Sequence, residues 1–329
     1  MAWKMADIMG QEAVIGRLNQ EAGANRMAHA YMLEGKPGTG KTSLARAMAA
    51  RRLCLAPTGD GDACGVCKSC HMLGNGNHPD YLELPREPAE LRIGRFVERL
   101  VGTETVEHQP LLPFLRLKPV EGGFRVAVVP DAERMRNEAA NAFLKTLEEP
   151  PGQTLIILTV NTRDRLLATI TSRCRRFGVS PLPAETLARE LHLRDIAHGD
   201  DAMELAVTAE GSLGMAMELA GGETLPFWRW LRDEAFANPG PAAAQRLADA
   251  WSAFGTGGGD NAGKRKSALQ ALDLSALALR RLLRQGMEPE RGARALSALW
   301  TAADQIVKNV RPDLALLSAA FSVMSALRG

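Results

Sequence analysis

Near the amino terminus of this 329-residue chain, a glycine-rich run carries a pattern that binds phosphate. Gly35, Gly38, Gly40, Lys41 and Thr42 fit G-x-x-x-x-G-K-[ST], with Gly38 as an additional glycine inside the pattern. In such a loop the backbone N–H groups point at phosphate oxygens, the lysine reaches the outer phosphates and the hydroxyl holds Mg²⁺. The sequence predicts a site for ATP with Mg²⁺. The alternative is a glycine-rich turn that matches by chance.

A second pattern consists of cysteines. Cys54, Cys64, Cys67 and Cys70 are spaced C-x9-C-x2-C-x2-C. Thiolates three residues apart can converge on one tetrahedral ion, and four of them leave no open position for a catalytic water. The spacing predicts a structural Zn²⁺ site, and the alternative is a set of four reduced thiols without metal.

The other residues near this pattern have more ordinary interpretations. Cys174 lies outside the set and is expected to behave as a small buried apolar residue. A complete four-cysteine set does not need His71 or His78, so we expect these two at the surface or behind the ligands. A disulfide framework is disfavoured, because the number of cysteines, five, is odd and because we expect an intracellular protein.

Strand-like and helix-like segments alternate over the first half of the chain. The predicted strands cover residues 31–33, 81–84, 125–129 and 154–160, and the clearest predicted helices cover 43–55 and 137–149. This alternation predicts a parallel sheet with helices on both faces. Asp131 follows one of these strands, where a phosphate-loop protein holds its metal ion, although it can also be a turn residue after Pro130. A weaker helix is predicted at 93–100, and residues 102–119 remain unassigned.

Only helical patterns follow the linker at residues 180–183. We predict three domains: an α/β domain at 1–180 with a zinc module at 54–70, a small helical domain at 181–222 and a larger all-α domain at 223–329. In the last helix, Leu317, Phe321 and Met324 form one stripe. Such stripes usually face a helical core, and the alternative is a surface that binds a partner.

Composition narrows the class of protein. Net charge is +2 and 46% of residues are hydrophobic, which disfavours a protein that mainly coats nucleic acid. The first residues lack the apolar core of a signal peptide, and no run approaches the length of a membrane span. We therefore expect a soluble cytoplasmic protein with no membrane partner.

Several segments resemble one known family, the AAA+ clamp-loader subunits of bacterial DNA polymerase III, and within it look most like the delta-prime type. The resemblance is carried by the cysteine insert and by the runs at residues 78–80, 141–151 and 166–174. It spans nearly the whole chain and is weakest in the last third. It implies an AAA+ nucleotide-binding domain, a helical lid and a collar that oligomerises.

The resemblance also implies roles for single residues. Motor subunits carry a glutamate where this chain has Ala132, and a lid arginine where it has Gly214, so hydrolysis in cis is disfavoured. Glu133 is one residue out of register and is expected to point elsewhere. Arg173, in the run Ser-Arg-Cys, matches a family arginine that enters the ATP site of the adjacent subunit. The alternative is that Arg173 is an ordinary surface arginine. Asn161 matches a polar sensor, or caps its strand.

The function so implied is that of a non-motor subunit with no polymerase site and little intrinsic ATPase activity. Its partners would be delta and gamma/tau subunits in a hetero-pentamer, and, through that assembly, the sliding clamp and primer-template DNA. The main alternative is a gamma/tau-type motor ATPase of the same loader, favoured by the intact loop. A third hypothesis is an unrelated phosphate-loop ATPase, which the cysteine insert and the Ser-Arg-Cys run disfavour.

Overall fold

The computed structural model describes residues 3–24, 26–86, 91–97, 109–121, 123–254 and 261–328. The chain divides into two compact units, Met1–Met215 and Ala216–Gly329. The predicted three-part division is finer than this one and stays a prediction.

The first unit contains a parallel five-stranded sheet with the strand order β2-β3-β4-β1-β5. Its strands are β1 (Ala30–Glu34), β2 (Tyr81–Glu83), β3 (Arg125–Val129), β4 (Thr154–Val160) and β5 (Arg175–Gly178). Four of the five were predicted, and β5 was missed. Because all strands are parallel, their carboxyl ends share one edge of the sheet.

Nine α-helices begin in this unit, among the residues described. They are α1 (Glu12–Gly23), α2 (Lys41–Leu53), α3 (Lys68–Gly74), α4 (Leu111–Arg116), α5 (Asn137–Glu148), α6 (Ala168–Thr171), α7 (Ala184–Leu193), α8 (Gly199–Thr208) and α9 (Leu213–Ala220). The predicted helix at 93–100 is a short 3-10 turn, Ile93–Arg95, and residues 98–100 lie outside the described part. Helix α4 occupies part of the unassigned stretch.

Helices cover both faces of the sheet, as predicted. Alternate side chains of β3 enter two different cores: Val126 and Val128 pack with α1, α2 and α3, whereas Ala127 and Val129 pack with α4, α5 and α6. Strands β1 and β4 alternate in the same way. A strand buried on both faces reads as a continuous apolar run, which is why the sequence revealed these strands.

In the second unit, all the secondary structure of the described residues is helical. It contains α10 (Thr224–Trp230), a π-helical turn (Leu231–Ala235), α11 (Pro241–Ala253), α12 (Asn261–Arg284), α13 (Pro289–Val307) and α14 (Pro312–Arg328). The buried Trp251 indole donates to Ser275 Oγ at 2.8 Å, which satisfies its polar atom inside the core.

One predicted stripe is wrong. Leu317 and Phe321 are 38% and 44% exposed, and only Met324 of the three enters the core. The buried face of α14 is instead made by neighbouring residues such as Ala320 and Val323. Small alanines there carry a weak hydrophobic signal, so the larger side chains misdirected the prediction. Among the helices described, none combines the length and the apolar character that crossing a membrane would need.

Candidate functional site

The glycine-rich loop joins the carboxyl end of β1 to the first turn of α2. Gly38 and Gly40 have φ values of 73° and 89°, in the region that side chains disfavour. A Cβ atom on Gly35 would lie 2.3 Å from the Val179 carbonyl oxygen, and one on Gly38 would lie 2.0 Å from Ser212 Oγ. The glycines are therefore required by the shape of the loop, and this shape fits a phosphate cradle at a helix amino terminus.

Lys41 is folded back into the loop. Its ammonium group donates to the Gly35 and Lys36 carbonyl oxygens at 2.8 and 2.7 Å and to Asn161 Oδ1 at 2.8 Å. Burial lowers the pKa of Lys41 to about 8, although the nearby carboxylates of Asp131 and Glu133 favour its charged form. When a phosphate binds, the Lys41 ammonium group would donate to a charged phosphate oxygen in place of these neutral acceptors.

Asp131 and Asn161 meet because β3 and β4 are neighbours and both residues follow the carboxyl ends of these strands. Asn161 Nδ2 donates to Asp131 Oδ1 at 3.3 Å and to Glu133 Oε1 at 2.8 Å. Asn161 therefore turns its amide oxygen towards Lys41. Thr42 and Asp131 are the residues that would hold Mg²⁺ beside a bound nucleotide.

The expectation that Glu133 points elsewhere is wrong. Its Oε1 atom also accepts the backbone N–H of Asn161 at 3.1 Å, so the carboxylate lies at the site. Asp131 has a left-handed backbone (φ 48°) and is followed by a 3-10 turn, Ala132–Arg134, which brings Glu133 back to the sheet edge. Its second oxygen, Oε2, is buried without a hydrogen-bond partner among the described residues. Ala132 is fully buried.

The start of α9 and the residue before it, Ser212, pack directly on the loop. A Cβ atom on Gly214 would lie 3.5 Å from Gly38 Cα. Position 214 thus faces the phosphate loop, but it carries no side chain. An exposed ion pair between Lys36 and Glu210, with an N–O distance of 2.9 Å, links the loop to the turn that follows α8.

Arg173 lies between α6 and β5 and makes none of its hydrogen bonds to the phosphate loop. Its guanidinium donates to Glu148 Oε1 at 2.6 Å and to the Thr169 carbonyl oxygen at 2.9 Å. The side chains of Arg173 and Glu148 are 35% and 51% exposed. An exposed pair of this kind contributes only about 0–1 kcal/mol, so little free energy is needed to release the arginine.

The four predicted cysteines converge. Their sulfur atoms all lie within 4.8 Å of one another, and three of the separations are 3.8–4.0 Å. A Zn²⁺ ion bonded to four sulfurs at about 2.3 Å places them about 3.8 Å apart, whereas a disulfide needs about 2.05 Å. The cluster could hold zinc. Cys174 is buried away from it, and burial raises the pKa of its thiol to about 12.

Hydrogen bonds hold the cysteines in place. The backbone N–H groups of Val66 and Cys67 donate to Cys64 Sγ at 3.5 and 3.3 Å, and these bonds lower the pKa of the Cys64 thiol. A lower pKa favours the thiolate, which is the form that binds metal.

His78 supports α3, the helix that carries Cys70 and directly follows Cys67. It is 4% exposed, and its Nδ1 atom accepts the Asp80 backbone N–H at 3.0 Å. The neutral ring must then carry its proton on Nε2, which lies 2.9 Å from Ser69 Oγ. Ser69 in turn donates to the Leu53 carbonyl oxygen at 2.6 Å. His78 is thus a buried supporting residue, whereas His71 is exposed.

Sequence reasoning missed one residue at the loop. Arg86 Nη2 donates to Thr42 Oγ1 at 2.7 Å. The available signal was positional: Arg86 comes shortly after β2, whose carboxyl end lies on the same sheet edge as the loop.

Comparison with known families gives a match to the profile described as "DNA polymerase III, delta subunit" over residues 10–183. Two curated relatives named DNA polymerase III subunit delta' are similar to the chain. The Escherichia coli protein is 36% identical over 201 residues, covering 61% of this chain and 57% of that protein. The Pseudomonas aeruginosa protein is 41% identical over 194 residues, covering 57% and 54%. The aligned part spans about half the length of these relatives.

Another type of subunit is also similar. The tau subunit of DNA polymerase III from Escherichia coli is 33% identical over 220 residues, covering 65% of this chain and 32% of that protein. Among solved structures, a gamma subunit-related protein of DNA polymerase III from Thermotoga maritima matches with a TM-score of 0.50 and 19% identity. That match covers 97% of this chain and 100% of the other, and it supports the fold alone.

Proposed function

Because the chain belongs to the family described as DNA polymerase III, delta subunit, we propose that it is a clamp-loader subunit of the delta-prime type in DNA replication. In this role it is a non-motor member of the assembly that loads the sliding clamp onto primed DNA. It contributes structure, a nucleotide site and one arginine.

The observation that carries the non-motor assignment is the pair Ala132 and Gly214. The loop has the glycines and the lysine of a nucleotide site, so it can hold ATP with Mg²⁺. By the resemblance, Ala132 holds the position of the base and Gly214 the position of the lid cation; the first side chain is a buried methyl group and the second position has no side chain. Glu133 does not replace the base, because one of its oxygens binds Asn161 and the other is buried. Without a base and a cation, the chemical step is slow.

Arg173 acts on a neighbouring subunit in this proposal. An arginine supplied from outside stabilises the charge that develops on the transferring phosphoryl group. The partial exposure of its guanidinium and its weak pairing with Glu148 support this role, since the side chain can exchange Glu148 for a phosphate.

The proposed partners are the delta and gamma/tau subunits in a hetero-pentamer, and the clamp and primer-template DNA through that assembly. Exposed apolar side chains in the second unit support a protein contact: Trp300, Leu314 and Phe321 are 59%, 56% and 44% exposed. Contiguous apolar patches commonly mark binding sites, and in this proposal these side chains belong to such a patch. The zinc ion, in this proposal, is structural.

A gamma/tau-type motor is the second candidate, because Lys41 and Thr42 are intact and the tau subunit is similar. Steady-state ATP hydrolysis by the isolated chain separates the two. We expect turnover about 10²–10⁴-fold below that of a motor subunit assayed in parallel, since base catalysis contributes a factor of that size. Turnover at the motor's rate would favour the second candidate.

A further inference from the structure

The positively charged side chain of Arg86 reaches the phosphate loop from a segment that belongs neither to the loop nor to the predicted helical domain at 181–222. Arg86 lies in the segment that follows β2, and its Nη2 atom donates to Thr42 Oγ1 at 2.7 Å. Thr42 is in the first turn of α2, directly after Lys41. The guanidinium therefore stands at the end of the loop where the outer phosphates of a nucleotide belong.

The other cations of the loop already have partners. Lys36 pairs with Glu210, and Lys41 donates all three of its N–H bonds to the Gly35 and Lys36 carbonyl oxygens and to Asn161. Arg86 is exposed and forms no ion pair with a carboxylate within the described part of the chain. A guanidinium has five N–H donors, so the contact with one hydroxyl leaves most of them available.

The loop also needs a cation. Position 214 faces Gly38 but carries no side chain, so the helical segment beside the loop contributes no charge there. A triphosphate bound by Lys41 and the helix amino terminus alone would keep most of its negative charge. Arginine suits this task because its planar fork can bind two phosphate oxygens at once.

We propose that Arg86 binds the outer phosphates of a nucleoside triphosphate held in this chain's own loop, and so supplies the cation that position 214 lacks. The inference rests on the nucleotide binding proposed above. It has a consequence for the metal ion. Arg86 donates to Thr42 Oγ1, the oxygen that would hold Mg²⁺, and because the two positive charges repel each other there, the arginine and the ion compete for this oxygen. Nucleotide binding in this chain should therefore depend only weakly on Mg²⁺.

The test is the affinity for ATP of the full chain and of R86Q, measured by titration calorimetry with Mg²⁺ and again with excess EDTA. Glutamine keeps a donor but removes the charge. Arg116, an exposed arginine at the end of α4, provides the matched control R116Q, which loses one surface charge. We expect R86Q to bind ATP about tenfold more weakly in EDTA, the size of one charge-assisted contact, with a smaller loss in Mg²⁺. R116Q should match the unaltered chain.

Other outcomes decide against the proposal. Equal ATP affinity of R86Q and R116Q in EDTA would overturn it, and so would tighter binding by R86Q in Mg²⁺, which would make Arg86 only a competitor of the ion. If the unaltered chain and R116Q bound no ATP under either condition, the proposed nucleotide site itself would fail along with it. Matching thermal unfolding curves for the three proteins establish that the exposed substitution leaves the fold intact.

Discussion

At the scale of single residues, Lys41 combines a buried ammonium group with three neutral hydrogen-bond acceptors. Its pKa is lowered to about 8 mainly by burial, so in the free protein the proton is lost as pH rises through about 8. A bound phosphate favours the charged form and raises this pKa. Binding above pH 8 must then take up a proton, and affinity for ATP should fall by up to about tenfold per pH unit there.

Calorimetry at pH 8.5 in two buffers of different ionisation enthalpy measures this proton uptake. The variant K41R provides the control, because arginine stays charged over the whole range and its binding should not depend on pH. An affinity that is constant from pH 7 to pH 9 in the unaltered chain would contradict the role assigned to the Lys41 proton.

The roles of single residues were only partly predictable from the sequence. The loop pattern identified Lys41, and the positions of Asp131 and Asn161 directly after predicted strands indicated that they lie beside it. Parallel strands place their carboxyl ends at one edge of the sheet, and the structure has all three residues there. The direction of Glu133 was not predictable, since it depends on the left-handed backbone of Asp131. Arg86 was missed because a contact 44 positions away along the chain leaves no local pattern.

At the scale of elements, the cysteine segment is expected to depend on its metal ion. If the four sulfurs bind Zn²⁺, the purified protein contains one zinc per chain. A ligand at 1,000 times its dissociation constant adds about 4 kcal/mol of stability, so chelation should lower the melting temperature of the first unit. Elemental analysis and thermal unfolding with and without chelator provide the measurement.

Two cysteine variants make this test specific. C67S removes one ligand and should lose the zinc, whereas C174A removes a thiol outside the cluster and should keep it. Loss of core packing will lower the stability of C174A slightly, so its metal content is the decisive readout. If the unaltered protein purified without zinc and its melting temperature did not respond to added zinc, the metal assignment would be excluded.

Elements that carry their own pattern were predicted, and those defined by tertiary context were not. Strand β4 was predicted at its observed bounds because all seven residues are buried and apolar or β-branched. Strand β5 was missed because two arginines begin it and only Phe177 is buried. Helix α4 was missed because it is six residues long and contains a proline. In the structure α4 packs against the start of β3, where the guanidinium of Arg125 lies over the Phe114 ring.

At the scale of the whole molecule, we propose that the phosphate loop holds a nucleotide that this chain does not hydrolyse, and that Arg173 serves a neighbouring subunit. The helical character of the second unit followed from its periodicity, but its surface did not. The stripe with Leu317 and Phe321 was assigned to the core and lies exposed. Sequence periodicity identifies a face of a helix, and only the packed structure tells whether that face meets its own chain or solvent.

The most direct test of the central claim is DNA-stimulated ATP hydrolysis by the reconstituted loader that contains R173A in place of this chain. Arg176, an exposed arginine on β5, provides the matched control R176A. Removing a trans arginine slows hydrolysis at the affected ATP site by about 10³-fold or more. The assembly's total rate should therefore fall by the fraction that this site contributes, whereas R176A should leave the total rate unchanged. Equal hydrolysis by the R173A, R176A and unaltered assemblies would contradict the claim that Arg173 serves a neighbouring ATP site.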